Sequence, residues 1–154
     1  MYPTILALHS WLRWLALGAG IAATVAAARD TSAKPPATNL PDRLGMILVS
    51  TLDFQMLLGL VMYLAVSPTM EAIRANFGAS MKDPVARFWA VEHITMMLGA
   101  VIAAHVGRVL ARKTTDPNAR RMKLFICYGI ATLLMALAVP WPGMRAGRPL
   151  FRGL

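Results

Sequence analysis

The sequence predicts an all-α integral membrane protein, folded as a four-helix bundle with the N and C termini on the same side. Three observations support this fold class. Of the 154 residues, 57% are hydrophobic and only 15% are charged, whereas soluble domains carry about 25% charged residues. Four apolar runs dominate the chain, and three of them reach the roughly 20 residues that span a hydrocarbon core. No strand-like alternation or internal repeat interrupts them, so a transmembrane barrel is excluded.

The four predicted helices follow one another within a single transmembrane domain, 1–154. The first begins after Met-Tyr-Pro-Thr, which lacks the basic region of a signal peptide, so we expect this run to be retained as a helix. The fourth run is the shortest, and it extends through Pro140 and Trp141 into the membrane interface. The predicted bounds are about 5–28, 45–66, 88–110 and 124–141.

Two of the connections carry a local signal. Between the first and second helices, the sequence SAKPPATNLPD is rich in proline and predicts an extended connector. In the second loop, Met70, Ile73 and Phe77 recur at helical spacing. This pattern favours a short helix at the membrane interface, at about 69–82, and an irregular loop is the alternative.

The basic residues lie mostly at helix ends. A formal net charge of +9 would favour nucleic acid as the partner of a soluble protein. Here the positive charge serves topology and contact with anionic lipids, so we expect a lipid bilayer and no nucleic acid as partner.

The distribution of these residues predicts the orientation. Fewer basic residues flank the termini and the second loop than flank the first and third loops. This bias predicts that the first and third loops are cytoplasmic and that the termini are periplasmic or outside. The six on the side of the termini are Arg74, Lys82, Arg87, Arg145, Arg148 and Arg152; the nine opposite are Arg29, Lys34, Arg43, Arg108, Arg112, Lys113, Arg120, Arg121 and Lys123.

His9 and His93 are the residues most suited to hold a cofactor. By helix rise, His9 lies roughly 6 Å, and His93 roughly 7 to 8 Å, below the outer starts of the first and third helices. These helices run in the same direction, so the histidines match in depth. Ionisable side chains inside a membrane span are costly and mark functional sites, and two facing imidazoles suit the iron of a b-type haem. Alternatively, each histidine is hydrogen-bonded within the bundle or lies at the headgroup level.

Further polar residues are candidates for the same site. Arg13 follows His9 by about one helical turn and projects from the same face. A buried arginine demands an anion, and a haem propionate matches the guanidinium fork. The alternative is a structural ion pair of Arg13 with Glu92 or Asp53. Gln55 lies near this depth and is expected to orient the second ring nitrogen of a histidine.

His105 is expected to lie outside this site. It follows His93 by twelve residues, roughly 18 Å along the helix, and no histidine of another helix lies at that depth. Placement at the interface beside Arg108 is the favoured interpretation, and an axial pair with Met46 is the alternative.

Several short segments together resemble a known family. They are LHSWLRWL (8–15), DFQMLLGLVMY (53–63), EHITMM (92–97), PWP (140–142) and RPLFR (148–152). The chain resembles, nearly end to end, a family of short four-helix bacterial membrane proteins that are mostly uncharacterised and sometimes labelled cytochrome b-like. The resemblance implies a multi-pass protein of the bacterial inner membrane, with haem b as cofactor. The positions that match the family pattern are His9, Arg13, Gln55, Glu92 and His93, with the RPLFR tail.

Two functions therefore stand as expectations. The first is a membrane electron-transfer protein, or a subunit of one, with a single haem near the outer face. His9 and His93 would be its axial ligands, and it would exchange electrons with a quinol, a periplasmic carrier or a larger membrane complex. Because no nucleophile or acid–base pair is evident, we expect an electron carrier more than an enzyme. The second is a cofactor-free accessory subunit of a respiratory or photosynthetic complex, in which the same polar residues form a structural network.

Overall fold

Residues 1–29 and 40–151 of the chain are described by the computed structural model, and they form helices without strands. The predicted all-α four-helix bundle is confirmed. Most of the proline-rich connector, 32–39, and the last residue of the tail motif, Arg152, lie outside the described residues. The helices are α1 (Tyr2–Arg29), α2 (Leu40–Val61), α3 (Pro68–Ala75), α4 (Phe77–Ser80), α5 (Pro84–Arg87), α6 (His93–Arg112) and α7 (Pro117–Ala138).

Four segments are long and apolar enough to cross a membrane. They are Tyr2–Arg29, Leu40–Val66, Pro84–Arg112 and Pro117–Ala138. A π-helical turn, Met62–Val66, prolongs α2, and a second one, Phe88–Glu92, joins α5 to α6. The chain is therefore a multi-pass membrane protein whose apolar helices contact the lipid bilayer.

The helices of the bundle are arranged so that α1 and α6 lie diagonally. Helix α1 packs against α2 and α7, and α6 packs against the same two neighbours. Since α1 and α6 also run in the same direction, side chains at equal depth on their inward faces lie opposite each other across the bundle centre.

The helix ends differ from the predicted bounds for local reasons. Helix α7 begins at Pro117 because the Asp116 side chain accepts a 2.6 Å hydrogen bond from Ala119 N, and proline suits the first helical position. It ends at Ala138 because the residue before a proline avoids helical geometry, and Val139 is extended (ψ 127°). Hydropathy marks the part of a helix within lipid and not its capped ends, so the predicted start at 124 was too late.

The second loop contains two short helices where one was predicted. The Ser67 side chain caps α3 by accepting from Met70 N at 3.4 Å. The backbone of Asn76 (φ −144°, ψ 64°) then interrupts the helix before α4. Met70 and Ile73 are buried against Ala90, whereas Phe77 is 51% exposed, so the predicted apolar stripe holds for α3 and fails beyond it.

The bundle centre is built from small residues that let the helices approach closely, as membrane interfaces favour. The largest fully buried side chain is Tyr128 of α7, and it fits over Gly45 of α2. A Cβ atom placed on Gly45 would overlap the Tyr128 hydroxyl oxygen. Small core residues of α1 and α6 are Ala16, Ala19, Ala23, Ala27, Ala100, Ala104 and Ala111.

We expect Gly45→Ala to destabilise the bundle, because the added methyl group forces Tyr128 out of its place. Overpacking of this kind costs about 1–3 kcal/mol. The matched control is Gly18→Ala, since a Cβ on Gly18 meets nothing within 4 Å; it should be neutral or stabilising by up to about 1 kcal/mol. Thermal unfolding of both variants in detergent measures the difference, and equal midpoints would contradict this packing.

Candidate cofactor site

A cavity lies between the long helices at the end of the bundle that carries both termini. The volume of this cavity is about 140 Å³, whereas a single water molecule needs about 10–15 Å³ on the same measure. Its walls are mostly apolar. The histidines, arginines and amide that line it are His9, Arg13, Gln55, His93 and Arg148.

His9 and His93 face each other across this cavity. Their ring centroids are 6.4 Å apart, with an interplanar angle of 61°. Metal–imidazole bonds are about 2.0–2.1 Å long, so two nitrogens on opposite sides of one iron lie about 4 Å apart. With each ring centre about 1.1 Å behind its nitrogen, the two centres would lie about 6.3 Å apart. The separation of the rings thus matches that of two axial ligands on a single metal ion.

The end of α7 fixes the ring of His93. In a continuing helix, the Ala138 carbonyl would accept from residue 142, but Pro142 has no N–H. His93 Nδ1 lies 2.9 Å from this carbonyl oxygen instead. A carbonyl accepts, so Nδ1 carries the proton and the Nε2 lone pair is left for a metal. Trp89 and Phe88 pack on the same ring, with centroids at 5.6 and 5.9 Å.

Helix α2 holds His9 through Gly59 and Gln55. A Cβ on Gly59 would lie 3.4 Å from His9 Cε1, so α2 passes directly beside the imidazole. Gln55 Nε2 donates to the backbone oxygen of His9 at 2.9 Å. Gln55 was expected to orient a ring nitrogen, but it holds the main chain of His9. In the described part of the chain, His9 Nδ1 and Gln55 Oε1 are buried without a hydrogen-bond partner.

Two guanidinium groups line the cavity, and no carboxylate of the described residues does. Arg13 Nη2 donates to the Leu150 carbonyl at 2.8 Å, which ties α1 to the C-terminal segment. The guanidinium carbon of Arg148 lies 4.7 Å from the centre of the Trp89 ring. The site therefore suits a ligand that carries carboxylates. Arg148 was not predicted as a site residue, although the RPLFR tail that contains it matches the family pattern.

Glu92 and Asp53 lie elsewhere. Glu92 pairs with Arg87 at 2.8 Å and is not among the residues that line the cavity. It precedes His93 by one residue, about 100° around the helix, so its carboxylate leaves the cavity side. Asp53 pairs with His105 at 2.8 Å, so the alternative of an ion pair between Arg13 and either acid is wrong.

His105 was expected beside Arg108 at the interface, and its contact with Asp53 places it on the flank of α2 and α6 instead. Among the described residues, no group of three or more His, Cys, Asp or Glu side chains is placed to hold a metal ion. The facing histidines supply only two ligands, which suffices for an iron whose other four ligands come from a porphyrin.

The chain was also compared with known proteins. No protein-family model matches it, and neither a curated protein nor a solved structure does. The resemblance to cytochrome b-like bacterial proteins therefore stays a prediction.

Replacing Arg13 with alanine should destabilise the protein, because it removes the bond to the Leu150 carbonyl. Hydrogen bonds from charged groups contribute about 1.5–3 kcal/mol. Lys82→Ala, an exposed cation in the second loop, serves as control and should unfold as the wild type does. Thermal unfolding in detergent is the measurement; wild-type stability of Arg13→Ala would mean that the guanidinium extends to the interface instead.

Proposed function

We propose that the protein is a membrane electron carrier that binds one haem b between His9 and His93. The observation that carries the proposal is the 6.4 Å separation of the two ring centroids across a cavity. Two imidazoles in edge-to-face contact reach a similar separation without a ligand, so the proposal depends on this distance together with the cavity and the proton on His93 Nδ1.

The surroundings of the histidines support the same proposal. The hydrogen bond from His93 to the Ala138 carbonyl sets the tautomer that a ligand needs. The walls of the cavity are mostly apolar, and Arg13 and Arg148, which line it, have the guanidinium groups that suit two propionates. When bound, haem supplies reversible one-electron chemistry, and the protein sets its axial ligands, solvent exposure and nearby charge.

The side of the membrane and the redox partners belong to the proposal as well. The excess of basic residues around the first and third loops supports a bacterial inner membrane protein with its cavity near the periplasmic face. A haem there would exchange electrons with a quinol, a periplasmic carrier or a larger membrane complex.

The haem proposal is tested by spectroscopy on protein purified from haem-replete cells. We expect a b-type reduced-minus-oxidised spectrum with one haem per chain. His9→Ala and His93→Ala should each abolish the low-spin signal or convert it to high spin, because loss of a ligand opens a coordination position. His105→Ala is the matched control from the same helix, roughly 18 Å from His93, and should keep the wild-type spectrum. A colourless wild-type protein would overturn the proposal and favour the cofactor-free accessory subunit.

The orientation is tested by cysteine labelling in intact cells. Cys127 is first replaced with alanine, which leaves the background without a thiol. A cysteine at Ser80, in the second loop, should react with an impermeant thiol reagent from outside, whereas a cysteine at Thr115, in the third loop, should react only after lysis. The opposite pattern would place the cavity near the cytoplasmic face.

A further inference from the structure

A second polar site lies on the lipid-facing flank of the bundle. His105 Nε2 and Asp53 Oδ1 are 2.8 Å apart, and both side chains are about half exposed, 50% and 48%. The two residues belong to the spans Pro84–Arg112 and Leu40–Val66. They thus form an ionisable pair that faces outward from membrane-spanning helices, where such groups normally face the bundle interior.

The pair has unused hydrogen-bonding capacity. His105 Nε2 and Asp53 Oδ1 bond to each other, whereas His105 Nδ1 and Asp53 Oδ2 have no hydrogen-bond partner within residues 1–29 and 40–151. Ser50, three residues before Asp53, is exposed on the same helix face. Lipid tails offer no hydrogen bonds, and an unmatched polar group in that environment is costly. An occupant with polar groups of its own would relieve this cost.

The side chains around the pair indicate what kind of occupant fits. Leu57, Ile102 and Val109 lie about one turn away and are all exposed. These are large apolar groups, whereas helix–helix contacts in membranes favour small residues. The surface therefore suits a flat, lipid-soluble molecule with polar atoms on its ring better than another helix.

We propose that Asp53 and His105 bind the head group of a lipid-soluble quinone. Because His105 Nε2 donates to Asp53 Oδ1, one ring oxygen would accept from Nδ1 of the doubly protonated imidazole, and in the hydroquinone form a hydroxyl would donate to Asp53 Oδ2. Asp53 is two residues, or about 3 Å of rise, from Gln55, which lines the cavity, and the two side chains project from opposite faces of α2. The assignment of this ligand as a redox partner rests on the proposed haem, but the binding itself does not.

Binding is measured on the full chain in lipid nanodiscs with a tritium-labelled ubiquinone that carries a two-isoprene tail. We expect saturable binding near one molecule per chain. Asp53→Asn and His105→Gln should each raise the Kd about tenfold or more. The double change Asp53→Leu with His105→Leu removes both polar partners, so it should keep thermal stability at or above that of the wild type while it abolishes saturable binding. Ser80→Ala, in the second loop, is the control and should bind as the wild type does.

The outcomes of these experiments distinguish the quinone proposal from the haem proposal. His93→Ala should lose the low-spin haem signal and keep quinone binding, so failure of either result points to one proposal alone. Absence of saturable binding to the wild type, or an unchanged Kd in all Asp53 and His105 variants, would overturn the quinone site. A dimer in native mass spectrometry that the double leucine variant dissociates, with quinone binding unaltered, would overturn it too and assign the pair to contact with a second copy.

Discussion

The hydrogen-bonding demand of the backbone inside a bilayer governs how this site is built. Lipid cannot satisfy a free carbonyl, so each one near a helix end needs a donor from the protein. The ring of His93 meets this demand at Ala138, the last residue of α7. Other main-chain carbonyls at the end that carries both termini also accept from side chains: that of His9 from Gln55, that of Ala90 from Tyr63, and that of Leu150 from Arg13. The groups that shape the cavity are therefore held by bonds to main-chain carbonyls.

The two π-helical turns belong to the same arrangement. Met62–Val66 and Phe88–Glu92 lie in neighbouring spans, and the hydroxyl of Tyr63, in the first turn, bonds to Ala90, in the second, at 2.7 Å. A π-turn widens the helix by one residue and so rotates the next helical turn about the helix axis. The first residue after the second π-turn is His93, so this turn sets the face that its imidazole presents to the cavity.

This explains how much the sequence could predict. Apolar run length fixes the number of spans, and helix rise fixes the common depth of His9 and His93, so the fold class and the pairing of the two histidines were accessible. The rotation of each helix about its axis could not be predicted, because a π-turn does not change the hydropathy pattern. Glu92 was consequently assigned to the site, Asp53 was considered as an ion-pair partner of Arg13, and Gln55 was assigned to a histidine ring instead of the His9 carbonyl. Arg148 was missed because only tertiary contact brings the tail to Trp89.

The charges of the described residues divide the molecule into two polar regions. Around the cavity the ionisable groups are cations and histidines, with no carboxylate in the walls. The acids near that depth pair elsewhere, Glu92 with Arg87 and Asp53 with His105. The position of Asp53 on the outer flank puts the Asp53–His105 pair where a molecule dissolved in the bilayer reaches it.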